Sequence, residues 1–504
     1  MKYLQGQHIL ILGLGSSGLA MARWCAERGA LVTVADTREA PANLTVLQSE
    51  FSEVRFKSGS FSASWVEGTD IRAVFASPGL TPTEIAPVFD AAKGMGLWVG
   101  GELSLFAQAL DHLKTTRDYA PQVLAITGTN GKTTVTALTG RLLERAGKTV
   151  RVAGNIGPTL LDTLRESMLT ELPEVWVLEL SSFQLDSAGP FEPSAATVLN
   201  ITQDHLDWHG SMHAYAAAKE KIFGVHSLMI LNRDDARVMA MLPEPVRAKL
   251  QKPVQRVYVT YGADMPQRPG DFGLETVNGM TWLVRALESD ETRRLRKGEV
   301  EEIHIQRLMP ADALRIRGRH NAVNALAALA LASSTGASLA SMLFGLREYA
   351  GEPHRVEPVA IVNDVEYFDD SKGTNVGATV AALVGLGAER RVVVILGGEG
   401  KDQDFSPLVE PVSRFARAVV LMGRDALLIR EAIEMCGVTL IEASSLPEAV
   451  NAAKEIAQAG DAVLLSPACA SFDMFRDYSH RAQVFCQAVA DIADAAGQAL
   501  ELAR

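Results

Sequence analysis

The stretch VLAITGTNGKTT, residues 123–134, is an apolar strand that breaks into glycines and restarts as a helix. Gly128 to Thr133 spell Gly-x-x-Gly-Lys-Thr, a shortened phosphate loop, since the usual spacing would want glycine where Ile126 stands. The essential chemistry survives the shortening. Backbone amides from Gly128, Thr129, Asn130 and Gly131 into the helix start at Thr134 can cradle phosphates. Lys132 supplies a mobile positive charge to the β- and γ-oxygens, and the Thr133 hydroxyl can hold Mg²⁺. Strand, loop and helix stand in the order that ATP binding requires.

Upstream lies a second glycine turn. HILILGLGSSGLA, residues 8–20, runs a strand into Gly13-x-Gly15-x-x-Gly18, and the next strand, Leu31 to Asp36, ends in a carboxylate. That is the dinucleotide fingerprint. Its glycines, however, report only that a helix start faces some diphosphate, and a simple dehydrogenase has no use for ATP. With an ATP loop downstream, the first turn is read as a grip on a nucleotide-diphosphate handle of a substrate that ATP activates.

The rest of the chain bounds the reading. At 504 residues it is long enough for two to four domains, and a formal net charge of −12 argues against nucleic acid. Cys25, Cys436, Cys469 and Cys486 include no Cys-x-x-Cys pair, so neither a zinc knuckle nor a disulfide framework is indicated, and reduced thiols in a cytoplasm are expected. No signal peptide is recognisable. The apolar stretch Ala322 to Leu346 is interrupted by Asn324, Ser333, Ser334, Thr335 and Gly336, which predicts a buried helix pair, not a membrane span.

Strands and helices alternate throughout, the signature of helix-covered parallel sheets. The expected architecture is α/β with three tandem modules: a Rossmann-like module over residues 1–110, an ATPase-like phosphate-loop module over 111–350, and a second Rossmann-like module over 351–504. Residues 264–302, Pro-rich and then charged, read as a solvated insertion with exposed strands. Glu179 ends a strand where a Mg²⁺-associated acid would stand, and Asp204, His205 and nearby His209 follow another strand. Tyr215-x-x-x-Lys219 imitates a short-chain dehydrogenase pair, but the phosphate-loop module separates it from the glycine turn. That reading is rejected.

Taken together, GTNGKT at 128–133, Glu179-Leu-Ser-Ser, Asp204-His205, Tyr215-x-x-x-Lys219, Arg319-His-Asn-x-x-Asn324 and Pro353-His-Arg355 resemble the Mur ligases, the ATP-dependent family that builds the peptide of bacterial cell-wall precursors. The resemblance spans nearly the whole chain. Asp36-Thr-Arg38, Asp370-Ser-Lys-Gly-Thr-Asn375, Gly397-Gly-Glu-Gly-Lys401 and Ser466 to Phe475 are similar to the D-glutamate-adding branch.

That resemblance implies an acid–D-amino-acid ligase taking ATP, D-glutamate and UDP-N-acetylmuramoyl-L-alanine, and working through an acyl phosphate as a cytoplasmic monomer. Gly15, Ser16, Ser17, Asp36, Thr37, Arg38, Ser77, Gly79 and Asn155 would line the UDP-substrate path. Asn321, Asn324, Arg355 and Asp370 would join the phosphate loop around ATP. Lys132, Glu179, His205 and Lys219 would be catalytic, and two Mg²⁺ ions would be held by Thr133, Glu179, His205 and a carbamylated Lys219. Thr374, Lys401, Ser471, the Phe472 backbone and Tyr478 would receive D-glutamate. The rival readings are a sister Mur ligase, a ligase like folylpolyglutamate synthetase, an NAD-dependent dehydrogenase and a nucleotide switch. The synthetase has no need of the N-terminal UDP-type module, and the switch lacks an Asn-Lys-x-Asp motif.

Overall fold

The computed structural model describes residues 4–246, 254–289, 302–388 and 390–498. Three sheets succeed one another along the chain. The first has five parallel strands in the spatial order Arg55–Ser58, Leu31–Asp36, His8–Leu12, Ile71–Ala76 and Trp98–Gly100. His8–Leu12 is apolar beyond its first residue because both faces are covered by helices, and four of its five residues are buried. Sequence order reverses between His8–Leu12 and Ile71–Ala76. The glycine turn and the Ser77–Gly79 loop leave the carboxyl ends of those two strands, where open α/β sheets bind ligands.

The helix Glu102–Arg117 crosses residue 110 and leads into the second sheet, which has nine strands. Its parallel part places Gln122–Thr127 between Val175–Glu179 and Ala195–Val198, so the phosphate loop, Glu179 and the Asp204-His205 segment emerge from adjacent strand ends. The Ala322–Leu346 stretch forms the expected helix pair, Arg319–Ser333 and Leu339–Glu348. From Ala325 to Ala332 the first is all Ala and Leu and buried on every side, as a helix enclosed by neighbours should be.

Residues 272–289 and 302–310 are less solvated than an exposed insertion suggests. Phe272–Val277, Met280–Glu288 and Ile303–Pro310 pair antiparallel and extend the sheet edge, and Leu274, Leu283, Val284 and Met309 are buried. The charged run 290–301 lies outside the described residues.

The third sheet has six strands, parallel except for Glu357–Val362 at its edge. Its central strand Val392–Gly397 is wholly buried. The first and second sheets share one continuous core, in which Phe106 meets Trp176 edge to face with centroids 5.2 Å apart. The third packs its own core.

Candidate active site

The phosphate loop is shaped by two tight approaches. Gly128 has φ of +155°, and a Cβ there would meet Leu199 at 2.9 Å. Gly131 has φ of +82°, and a Cβ there would strike the Asn324 side chain at 2.8 Å. Asn324 therefore stands directly over the loop and donates to Asn321. Asn200 clamps the loop from the neighbouring strand end, accepting from the Asn130 N–H at 2.8 Å and donating to its carbonyl at 3.0 Å. Thr129 faces the other way: its hydroxyl meets Tyr215 Oη and Thr202 while its N–H donates to the Asn200 carbonyl at 2.9 Å, so the residue anchors the loop.

Two lysines converge here. Lys132 Nζ donates to the Gly128 and Thr129 carbonyls at 2.8 and 2.7 Å. Lys219 is 1% exposed, and its Nζ donates to the Gly128 carbonyl and Thr127 Oγ1 at 2.9 and 3.3 Å over the Tyr215 ring. Burial, with the Lys132 charge adding to it, holds the Lys219 amine well below the ordinary lysine range. Tyr215 and Lys219 thus support the ATP loop and lie far in the fold from any dehydrogenase glycine turn.

Glu179 is 1% exposed at the end of its strand. Its Oε1 accepts from Asn155 Nδ2 at 3.0 Å, while Oε2 has no hydrogen-bond partner among the described residues. A buried carboxylate oxygen left open in this way is costly unless a cation or donor completes it. His205 lies with Nε2 3.5 Å from Asp204 and its ring against Phe183. Burial lowers its pKa, opposed by Asp204 and reinforced by Lys132, Lys401 and Lys219. Neutral imidazole is the ligating form. The Glu179 carboxylate and the Thr133 hydroxyl are oxygen donors that fit a hard divalent ion such as Mg²⁺, with His205 a nitrogen ligand nearby.

The third domain reaches directly into this cluster. Arg355 Nη2 donates to Thr133 Oγ1 at 2.6 Å, and Asn375 Nδ2 donates to Asn130 Oδ1 at 3.0 Å. A cavity of about 200 Å³ lies between the two domains, with Asn130, Gly131, Thr134, Asn321, Asn324, Arg355 and Asp370 on its walls. Burial pushes Asp370 up to about 7, against the pull of Ser466, whose hydroxyl donates to it at 2.6 Å.

The residues expected at D-glutamate gather on the same side of the third sheet. Tyr478 meets His354 edge to face, with ring centroids 6.0 Å apart, and lies beside Lys372, whose Nζ is 4.9 Å from the ring centroid. Ser471 is buried, whereas the Phe472 side chain is 65% exposed, which leaves its backbone as the contact surface. Thr374 comes just after the Asp370–Lys372 turn, its N–H on the Lys372 carbonyl. Lys401 acts electrostatically on His205, which ties this group to the phosphate loop.

At the first turn, Gly18 allows the helix to lie on the strand end, since a Cβ would collide with the Gly13 carbonyl. Gly15 is different: its backbone is extended and a Cβ would meet only Ser77 Oγ, at an ordinary 3.5 Å. Glycine is thus not demanded there by the fold. Asp36 is occupied. It accepts from the Leu14 N–H at 2.8 Å and from two Arg38 guanidinium nitrogens at 2.8 Å each, and Arg38 holds its carboxyl down to about 2. A nicotinamide-type site needs that acid for a ribose diol. Thr37 is exposed, Gly79 faces open space, and Asn155 belongs to the Glu179 cluster as much as to the first turn.

Several site residues are not singled out by the sequence alone. Asn200, Asn375 and Lys372 lie inside or beside recognisable motifs without roles of their own. Arg481, wholly buried, donates to Ser371 Oγ and to the Ser371 and Cys469 carbonyls, bracing the loops that carry those two residues, and has no local signal in the sequence. The four cysteines are free, and among the described residues no helix is long and apolar enough to cross a membrane.

Comparison with known proteins agrees with this geometry. Family models match in three pieces: Mur ligase MurD-like N-terminal domain over residues 7–101, Mur ligase middle domain over 126–332, and Mur ligase glutamate ligase domain over 354–469. The chain is 69% identical to the UDP-N-acetylmuramoylalanine–D-glutamate ligase of Albidiferax ferrireducens, over 99% of each chain. It is 57% identical to the protein of that name from Polaromonas, over 99% of this chain and 100% of the other. Among solved structures it is similar in fold to a MurF from Acinetobacter baumannii (TM-score 0.56, 17% identity, 98% and 92% covered) and to the UDP-N-acetylmuramate–alanine ligase of Thermotoga maritima (0.53, 20%, 96% and 99%).

Proposed function

The chain belongs to the Mur ligase family, and from that premise we infer that it is the ATP-dependent amide ligase that adds D-glutamate to UDP-N-acetylmuramoyl-L-alanine in peptidoglycan precursor synthesis. The observation that carries the reading is convergence: Lys132, Lys219 and His205 of the second domain face Lys401 and Arg355 of the third across one phosphate loop. A carboxylate is a poor electrophile. The L-alanine carboxylate attacks the γ-phosphorus of ATP, the bond to the ADP oxygen breaks, and an acyl phosphate forms. The D-glutamate amine then attacks its carbonyl carbon, phosphate leaves, and the amine loses a proton.

Both steps build negative charge beside Lys132, already poised at the loop carbonyls. Arg355 and the Gly128–Thr134 amides orient the triphosphate, and Asn321, Asn324 and Asp370 receive the nucleoside side of the cavity. The Arg355–Thr133 and Asn375–Asn130 contacts shut the second domain against the third, which keeps water from the acyl phosphate. Thr133, Glu179, His205 and Lys219 would hold Mg²⁺, which supplies charge neutralisation at the transferring phosphoryl. Lys219 is read as carbamylated: a buried amine held neutral reacts with CO₂, releases a proton and becomes an oxygen ligand for a second ion.

Thr374, Lys401, Ser471, the Phe472 backbone and Tyr478 are assigned to the two D-glutamate carboxylates. Gly15, Ser16, Ser17, Thr37, Arg38, Ser77, Gly79 and Asn155 are assigned to the UDP-substrate, with Asp36 fixing Arg38 in place. All these groups come from one chain, which supports a working monomer, and ATP and UDP-sugars support a cytoplasmic setting. The test is phosphate release from ATP with UDP-N-acetylmuramoyl-L-alanine across a panel of D- and L-amino acids. D-glutamate should support turnover, while equal turnover with L-lysine or diaminopimelate would assign the chain to a sister ligase.

A further inference from the structure

Three helices of 10 or more residues start at one point between the first two domains: Ser16–Glu27 from the glycine turn, Glu102–Arg117 from the domain junction, and Leu160–Leu169 from the second sheet. Each start carries unpaired N–H groups and the positive end of a helix dipole, so three together repel. A single side chain sits among them. Glu102 is 3% exposed, and its Oε1 accepts from the Leu161 N–H at 2.9 Å. Ser17 lies at its other side, while Oε2 has no hydrogen-bond partner among the described residues. The carboxyl thereby joins the glycine turn of the first domain to a helix of the second.

The same Ser16 helix start is assigned above to the diphosphate of the UDP-substrate, and the inference rests on that assignment. Two anions would then share one helix end, the ligand outside and Glu102 beneath it. In the dry interior they oppose each other with little screening. We propose that Glu102 is a positioning residue for the UDP-substrate, bracing the glycine turn against the Leu160 helix and accepting a proton from solvent when the diphosphate settles on the turn. The open Oε2 is where that proton sits.

The charge environment agrees. Burial pushes the Glu102 carboxyl up to about 7, while the Leu160 and Leu161 N–H groups and Ser17 pull it down and the Asp162 charge pushes it further up. Asp162 is the charged group on the facing helix. It is itself held by Arg165 and Arg23, the latter reaching from the Ser16 helix. The acid therefore holds its proton to higher pH than an exposed glutamate does, and an approaching diphosphate favours the neutral form further.

Calorimetric titration of the full-length protein with UDP-N-acetylmuramoyl-L-alanine tests this, in two buffers of different ionisation enthalpy at pH 7.5 and 8.5. The diphosphate diester has no pKa in that range. Wild-type protein should take up a fraction of a proton per ligand at pH 7.5 and more at 8.5, with Kd rising up to about tenfold over that pH unit. Glu102→Gln, which keeps the acceptor for Leu161, should bind without that proton and with a flat Kd. It should also melt higher than wild type at pH 8 and level with it at pH 5, as replacing any buried acid of raised pKa would do, so the proton uptake on binding is the readout that a merely structural carboxylate would not move. Absence of proton uptake in wild type, or equal uptake in Glu102→Gln, overturns the proposal. A Gly15→Leu protein that binds the substrate as wild type does would instead overturn the assignment of the turn, which separates the two failures.

Discussion

The molecule has two glycine turns assigned to phosphates, and they are built on different electrostatic plans. Around Gly13–Gly18 the charges are largely settled: Asp36 is matched by Arg38 and by a backbone N–H, and the buried Glu102 carboxyl beneath the turn is held through Oε1 by the Leu161 N–H, with only its Oε2 left open. Around Gly128–Thr133 they are left open, with the half-buried Lys132 and the buried Lys219 both on loop carbonyls and the Glu179 Oε2 without a partner among the described residues. A settled site binds a handle without changing it. An open one stabilises charge that appears only during reaction, which is where a catalyst must be strongest. The difference teaches why the fingerprint of a dehydrogenase can begin a ligase: the glycine geometry fixes a diphosphate, and the surrounding charges decide whether that diphosphate is held or used.

The largest effect should fall on the second turn. Lys132→Ala removes the cation nearest the transferring phosphoryl and should lower kcat by about 10³-fold or more, with UDP-substrate affinity within about twofold of wild type. Lys219→Ala should lose a comparable amount and recover part of it with added acetate, because a carboxylate is what the carbamate supplies. Full activity in Lys219→Arg, or rescue by amines as good as rescue by acetate, would make the residue a plain cation. Either result would erase the contrast between the two lysines.

The first turn is probed by Gly15→Leu. The extended backbone and the 3.5 Å clearance at Ser77 predict a folded protein, so any loss reports the ligand. UDP-substrate affinity should fall by about 10- to 100-fold, roughly 1.4–2.8 kcal/mol, with ATP affinity unchanged. Tight NAD binding by the wild-type protein would break the comparison from the other side. Lys401→Ala should have a smaller and more selective effect, raising the KM for D-glutamate about tenfold by removing one charge-assisted contact to a carboxylate. If instead the KM for ATP rose and that for D-glutamate did not, Lys401 would belong to the nucleotide.

What the sequence made legible was whatever depends on local chain geometry. Glycines at 128 and 131 and the apolar strands before and after them announce the loop, and alternation of strand and helix announces three α/β layers. What stayed hidden depends on convergence of distant segments. Arg481 and Ser371 are 110 positions apart, and nothing near Arg481 marks it as a brace. Glu102 reads as a residue after two glycines at a domain junction, because only folding brings Ser17 and Leu161 to it. Strands near 272–288 were legible, but their antiparallel pairing onto the second sheet and their buried face were not, since a strand with one wet face carries polar residues too.

The smallest effect concerns the settled charge itself. Asp36 is held down to about 2 chiefly by the Arg38 side chain, so its folded-state pKa lies below that of the unfolded chain. The sign is set by that order: the unfolded state binds the proton first, and the pair contributes fully above about pH 4 and fades as pH falls towards 2. The Arg38 side chain is 61% exposed, so solvent screens the pair, and the contribution at neutral pH should be on the order of 1 kcal/mol. Asp36→Asn should therefore melt a few degrees or less below wild type at pH 7, and the gap should narrow as both are taken towards pH 3. Binding should respond too, because Arg38 loses the carboxylate that aims it at the nucleotide, and UDP-substrate affinity should drop severalfold while kcat holds. A melting gap that is the same at pH 3 as at pH 7 would mean that Asp36 acts through its hydrogen bond to Leu14 and not through charge, and the first turn would then be held by backbone geometry alone.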